Sequence, residues 1–143
     1  MSKHILITAL AATLVLGMTS AGQTPSKVVI PVNKTAASDG KQMYNSYCAP
    51  CHGTDGRGHG PVAGVLKVPP TDLTALSKSN EGKFPDSHIA TVLQFGAEMP
   101  SHGSAEMPVW GPILGNINRA SGAVEKQQRI SNLTRYLKTI QVQ

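Results

Sequence analysis

Aromatic side chains are scarce: one Trp, three Tyr and two Phe in 143 residues. A domain of this length with so few rings must fill part of its interior with something other than its own side chains. Charged residues make up only 15%, too few for a self-repelling disordered chain. Two cysteines exclude a disulfide-rich scaffold and leave no second thiol pair for a four-thiolate zinc site. No run of basic residues reads as a nucleic-acid arm. Alternating strand patterns, internal repeats and low-complexity tracts are missing as well. Past Leu16 no apolar stretch is long enough to span a bilayer, so no transmembrane segment is expected in the mature chain.

What is present begins with a leader. Lys3 and His4 precede an apolar run from Ile5 to Leu16, followed by the small residues around Thr19 and Ala21. A basic start, an apolar middle and small residues at the cut are the pattern of a secretory signal. The run is shorter than the roughly 20 apolar residues of a spanning helix. We expect residues 1–21 to be a signal peptide cleaved near Ala21, and the mature protein to be soluble and exported. Removing that segment takes away Lys3 and no acid, leaving 12 basic and 8 acidic residues. That mild positive balance suits an acidic partner surface and says little more. Residues 22–37, with Pro25 and Pro31, read as a linker or extended N-terminal segment. Residues 38–143 read as the folded domain.

The pattern there is helical. Ser38 or Asp39 can cap a helix reaching about Ala49. A long Gly- and Pro-rich stretch follows, with a short helix expected around Leu73 and Leu76. Pro85 and Asp86 open a better helix, with Ile89, Val92 and Leu93 on one face and Gly96 as its stop. Residues 97–116 are again rich in Gly and Pro and read as loop. In the last helix Ser121 is the expected cap, and Ile130, Leu133, Leu137 and Ile140 recur at helical spacing. Short helices joined by loops of this length point to a bound group.

The decisive motif is Cys48-Ala49-Pro50-Cys51-His52. On a helical turn, positions 48, 51 and 52 share one face. Two thiols can then add to two vinyl groups on one edge of a haem, and His52 is placed to present an imidazole nitrogen to the iron. The spacing is that of c-type haem attachment through Cys48 and Cys51. Three other readings compete. A thiol–disulfide motif lacks the βαβ pattern that accompanies it. A zinc half-site lacks further ligands at matching spacing. A plain disulfide would close only a tiny loop.

A low-spin carrier needs a second axial ligand, commonly a Met thioether. Met1 and Met18 leave with the leader, and Met43 sits on the first helix as packing. Met99 and Met107 remain, each followed by Pro in the second loop. Spacing alone does not choose between them, and His59, His88 and His102 are further candidates.

With these residues in view, the chain resembles a mono-haem class I c-type cytochrome over about residues 38–143. The likeness rests on Tyr47-Cys48-Ala49-Pro50-Cys51-His52-Gly53-Thr54-Asp55-Gly56, on Gly60-Pro61, on Pro69-Pro70-Thr71-Asp72-Leu73 and on Lys83-Phe84-Pro85. It also rests on His102-Gly103-Ser104-Ala105-Glu106-Met107-Pro108-Val109-Trp110-Gly111, which is similar to the distal-ligand loop of one bacterial subgroup. The resemblance implies a mainly α, cytochrome c-like fold of three to four short helices wrapped around one covalent haem c. It implies His52 and Met107 as the axial ligands, although Glu98-Met99-Pro100 copies the same local pattern. It further implies a Pro61 carbonyl bonded to His52, Trp110 beside the haem, and a crossing of first and last helices through Gly40, Tyr44, Leu133, Tyr136 and Leu137.

The implied activity is periplasmic electron transfer between redox protein partners, by a monomer or a subunit of a complex. Both axial positions would be filled by protein, leaving no place for substrate and no catalytic residue. The alternatives are a haem subunit of a larger oxidoreductase, a haem sensor or peroxidase with an open distal site, and an exported disulfide oxidoreductase.

Overall fold

The structure, a computed structural model, describes residues 32–96, 107–118 and 122–142. The leader, most of the linker, Met99, His102 and Ser121 lie outside these residues. Every element among the described residues is helical or a turn, in a cytochrome c-like arrangement.

The first helical unit is built in three pieces: α1 (Gly40–Met43), a π-turn (Tyr44–Cys48) and α2 (Ala49–His52). Asp39 caps it, its carboxylate accepting the Gln42 N–H at 2.8 Å. The sequence predicts a single α-helix here, and the widened middle has a cause in Pro50. A proline inside a helix lacks the N–H of the ladder, and its ring presses on the carbonyl four residues back. The Ala49 N–H instead reaches five residues back to the Tyr44 carbonyl. The wider turn gives the ring room without ending the helix.

The segment from Gly53 to Pro85 contains only two short 3₁₀ turns, Ala63–Val65 and Lys78–Asn80. The short helix expected around Leu73 and Leu76 does not form. The Asp72 carboxylate takes both the N–H of Thr74 (2.8 Å) and its hydroxyl (2.6 Å), and this local turn competes with helical pairing. Both leucines still pack against the core.

Helix α3 (Asp86–Phe95) buries Ile89 and Leu93 and stops at Gly96. Helix α4 (Trp110–Asn116) occupies a stretch that composition marks as loop. Pro112 stands in its first turn, where its missing N–H removes no helical bond. Trp110 and Leu114 carry its buried face. Helix α5 (Gly122–Thr139) places Glu125 in its first turn and Lys138 in its last, in keeping with the helix dipole.

Helix α5 packs against α1, α3 and α4 and is the spine of the domain. Its crossing with α1 is a backbone contact. A Cβ on Gly40 would stand 2.2 Å from the Asn132 carbonyl oxygen and 2.9 Å from Tyr136 Cβ. The rings of Tyr44 and Tyr136 lie 5.2 Å apart beside it. Met43, Tyr44, Tyr47, Trp110, Leu114, Ile130, Leu133 and Leu137 form the centre of the core. Arg129 lies inside it with no exposed surface. It ties Thr35 and the extended chain before α1 to α5.

Gly40→Ala forces the two helix backbones apart. We expect it to lower unfolding free energy by about 1–3 kcal/mol, the usual cost of overpacking, read from urea or thermal denaturation.

Candidate functional site

The chemistry-bearing residues sit at the end of the first helical unit. Cys48 closes the π-turn; Cys51 and His52 belong to α2. Both thiols are unbridged and half-buried. Burial and the neighbouring Cys51 push the Cys48 thiol up to about 12, and burial raises Cys51 as well. Reactive Cys-X-X-Cys pairs work through a thiol of depressed pKa. Burial acts on both of these thiols in the opposite direction.

The His52 Nδ1 lies 3.0 Å from the Thr71 carbonyl oxygen. Burial holds the imidazole below its ordinary pKa, partly offset by that hydrogen bond. A neutral ring with Nδ1–H donated to a carbonyl presents Nε2 as a lone-pair donor, the tautomer a metal ligand needs. The acceptor is Thr71, not the expected Pro61. The loop explains the difference. Gly58 donates to the His52 carbonyl at 2.7 Å and has φ +87°. A Cβ there would stand 2.3 Å from the Pro70 carbonyl oxygen, so only glycine lets the Pro70–Thr71 segment lie against the His52 turn. Leu73 N–H bonds to the Gly56 carbonyl at 2.7 Å and holds the same approach.

Tyr44 steadies the turn from below. Its buried hydroxyl donates to the Gly53 carbonyl at 2.7 Å. Desolvation raises the phenol far above its ordinary pKa, so it remains a donor throughout the accessible pH range. Tyr47, immediately before Cys48, stacks on Trp110 with centroids 5.7 Å apart and planes at 28°.

Trp110 follows Met107 by three positions. Met107 is half-buried and packs, like Cys48, against the core that contains both rings. Met43 is fully buried in that core. His59 and His88 are exposed. Among the described residues, no group of three or more His, Cys, Asp or Glu could hold a bare metal ion. Two thiols and one oriented imidazole on a single turn are a donor set that fits a haem. The sequence reading missed Thr71 and Tyr44 as partners of the turn; Pro69-Pro70-Thr71-Asp72 was visible only as a motif.

One family model matches residues 35–117, that of cytochrome C oxidase, cbb3-type, subunit III. No curated protein matches the chain.

The Asp72 turn that carries the Thr71 carbonyl generates a pH prediction. Hydrogen bonds from the Thr74 side chain and backbone hold the Asp72 carboxyl below its ordinary 3.8. A depressed carboxylate contributes stability that is present above its unfolded pKa and lost as pH falls through its folded one. Asp72→Asn keeps an acceptor oxygen but no charge. We expect it to lower the urea midpoint at pH 7, with the gap from the native chain closing below about pH 3.8.

Proposed function

The chain belongs to the cbb3-type cytochrome c oxidase subunit III family, a family of c-type cytochromes, and on that premise we propose a mono-haem electron carrier with His52 and Met107 as axial ligands. The cytochrome c domain implies haem-based electron transfer. The observation that supports this assignment of residues is the single turn carrying Cys48, Cys51 and His52, with Nδ1 of His52 held by the Thr71 carbonyl.

In this reading Cys48 and Cys51 would hold haem as thioethers, each Sγ–H adding across one vinyl group with its hydrogen on the other vinyl carbon, so that no oxidant is needed. Bound in this way, haem supplies the one-electron ferric/ferrous couple. The protein does the rest. Thr71 fixes the plane and basicity of the His52 ring. Tyr44 fixes the end of the turn through the Gly53 carbonyl. Trp110 and Tyr47 add buried aromatic surface beside the attachment turn and limit water access. His52 and Met107 would hold the haem iron with protein donors, so the protein would offer no open place for substrate there.

Export past residue 21, a periplasmic location and docking on acidic redox partners belong to the same reading. Among the described residues, no helix is long and apolar enough to cross a membrane. The matched family's own description names an oxidase subunit, which favours a second reading in which the domain delivers electrons inside a stable complex. Isolation of the native protein distinguishes the two: a shuttle emerges alone, a subunit with its neighbours.

Replacing the two loop methionines in turn tests the ligand assignment. We expect Met107→Leu to abolish the weak far-red ferric band of Met–iron ligation, and Met99→Leu to retain it. Loss of the band only in Met99→Leu would overturn the assignment of Met107.

A further inference from the structure

The guanidinium of Arg129 has no exposed surface, yet its partners are few and directed. Its Nε donates to Glu125 Oε1 at 2.9 Å, across one helical turn. The fork closes on two residues: Nη1 donates to Thr35 Oγ1 at 2.9 Å, and Nη2 donates both to the Thr35 carbonyl at 2.8 Å and to Glu125 Oε1 at 2.5 Å. Nη1 also lies 3.5 Å from Met43 Sδ. Thr35 Oγ1 stands 2.8 Å from the Tyr47 hydroxyl, which in turn is bonded to the Asn33 carbonyl.

The protons can run in only one order. Arg129 has donors alone and Asn33 offers an acceptor alone. Thr35 therefore accepts from Arg129 and donates to Tyr47, and Tyr47 donates to Asn33. A charged donor at the head of such a chain polarises each following bond.

The chain leads to the Tyr47 ring. Tyr47 is the chain neighbour of Cys48, and its ring stacks on Trp110, which follows Met107 by three positions. Tyr47 thus links the turn that carries His52 to the segment that carries Met107. Burying an ion pair contributes little net stability over an apolar isostere of the same volume. Fixing a hydroxyl, and through it a ring, is what the buried fork does here that an apolar side chain could not.

We propose that Arg129 is a positioning residue for the Met–iron bond: through Thr35 it holds Tyr47, and through the Tyr47–Trp110 stack it holds the Met107 segment against the attachment turn. This inference rests on Met107 being the distal ligand.

The test uses the haem-loaded protein and imidazole as a competing ligand. Imidazole binds only where the thioether has left the metal, so its apparent affinity reports the fraction of protein with Met107 released. Thr35→Val removes the hydroxyl at nearly constant shape, and Thr35→Ser keeps it. Tyr47→Phe keeps the ring stack and loses only the hydroxyl. Each of Thr35→Val and Tyr47→Phe breaks two hydrogen bonds of this chain, and we expect imidazole affinity to rise about 3- to 10-fold in both, with Thr35→Ser near the native value. A purely structural tie would lower the unfolding temperature of Thr35→Val and Tyr47→Phe while leaving imidazole affinity at the native value; that result overturns the inference. Should Thr35→Val not fold, Tyr47→Phe alone decides it. Failure of the ligand assignment is a different result: the native far-red band would survive in Met107→Leu.

Discussion

A helix that ends leaves carbonyl groups without partners, and the site is organised around three of them. The oxygens of Pro50, Cys51 and His52 project past the last helical N–H. They are taken in order by Val62 (3.0 Å), Gly60 (3.0 Å) and Gly58 (2.7 Å). The returning loop is thereby sewn to the Cys48–His52 turn. Its far side carries the Pro70–Thr71 segment into contact with Gly58, and so brings the Thr71 carbonyl to His52. The Gly and Pro that make this stretch look structureless are the residues such close backbone approach requires.

The turn needs an anchor as well as a neighbour. The Gly40 contact lets α1 lie on α5 at backbone distance, and Tyr44 and Tyr136 fill the space beside it. Just past the C-terminus of α5, Gln141 accepts from the Ser77 N–H and donates to the carbonyls of Leu73 and Leu137, and Val142 N–H bonds to the Thr74 carbonyl. One helix therefore fixes both the Cys48–His52 turn and the loop that orients His52. The buried fork of Arg129 adds a third tie, to the extended chain before α1.

What sequence reading reaches is set by the range of the forces involved. The last helix and the one from Asp86 are legible because their apolar residues recur at a local period and their ends carry charge and glycine signals. The Cys48–His52 turn is legible because its chemistry is contained in five consecutive residues. Helix α4 is not, since Pro112, Gly111 and Gly115 suggest loop and only the burial of Trp110 and Leu114 in three dimensions favours helix. The π-turn depends on the clash between Pro50 and a carbonyl four residues back, which composition does not show. The His52–Thr71 bond spans 19 positions and the Arg129–Thr35 bonds span 94. Side-chain pairings of that range leave no periodic trace. Glu125 and Arg129, one helical turn apart, look in the sequence like an ordinary surface pair.

The scarcity of aromatic residues and the Cys48–His52 turn meet in one expectation: the interior is completed by a covalently held macrocycle. The most direct measurement is the intact mass of the protein purified from a host able to attach haem, taken with its oxidised and reduced absorption spectra. The account predicts a mass increased by one haem that survives denaturation, sharp reduced bands and the weak far-red ferric band. A chain at its bare polypeptide mass, with Cys48 and Cys51 titrating as two thiols or as one disulfide, would contradict it.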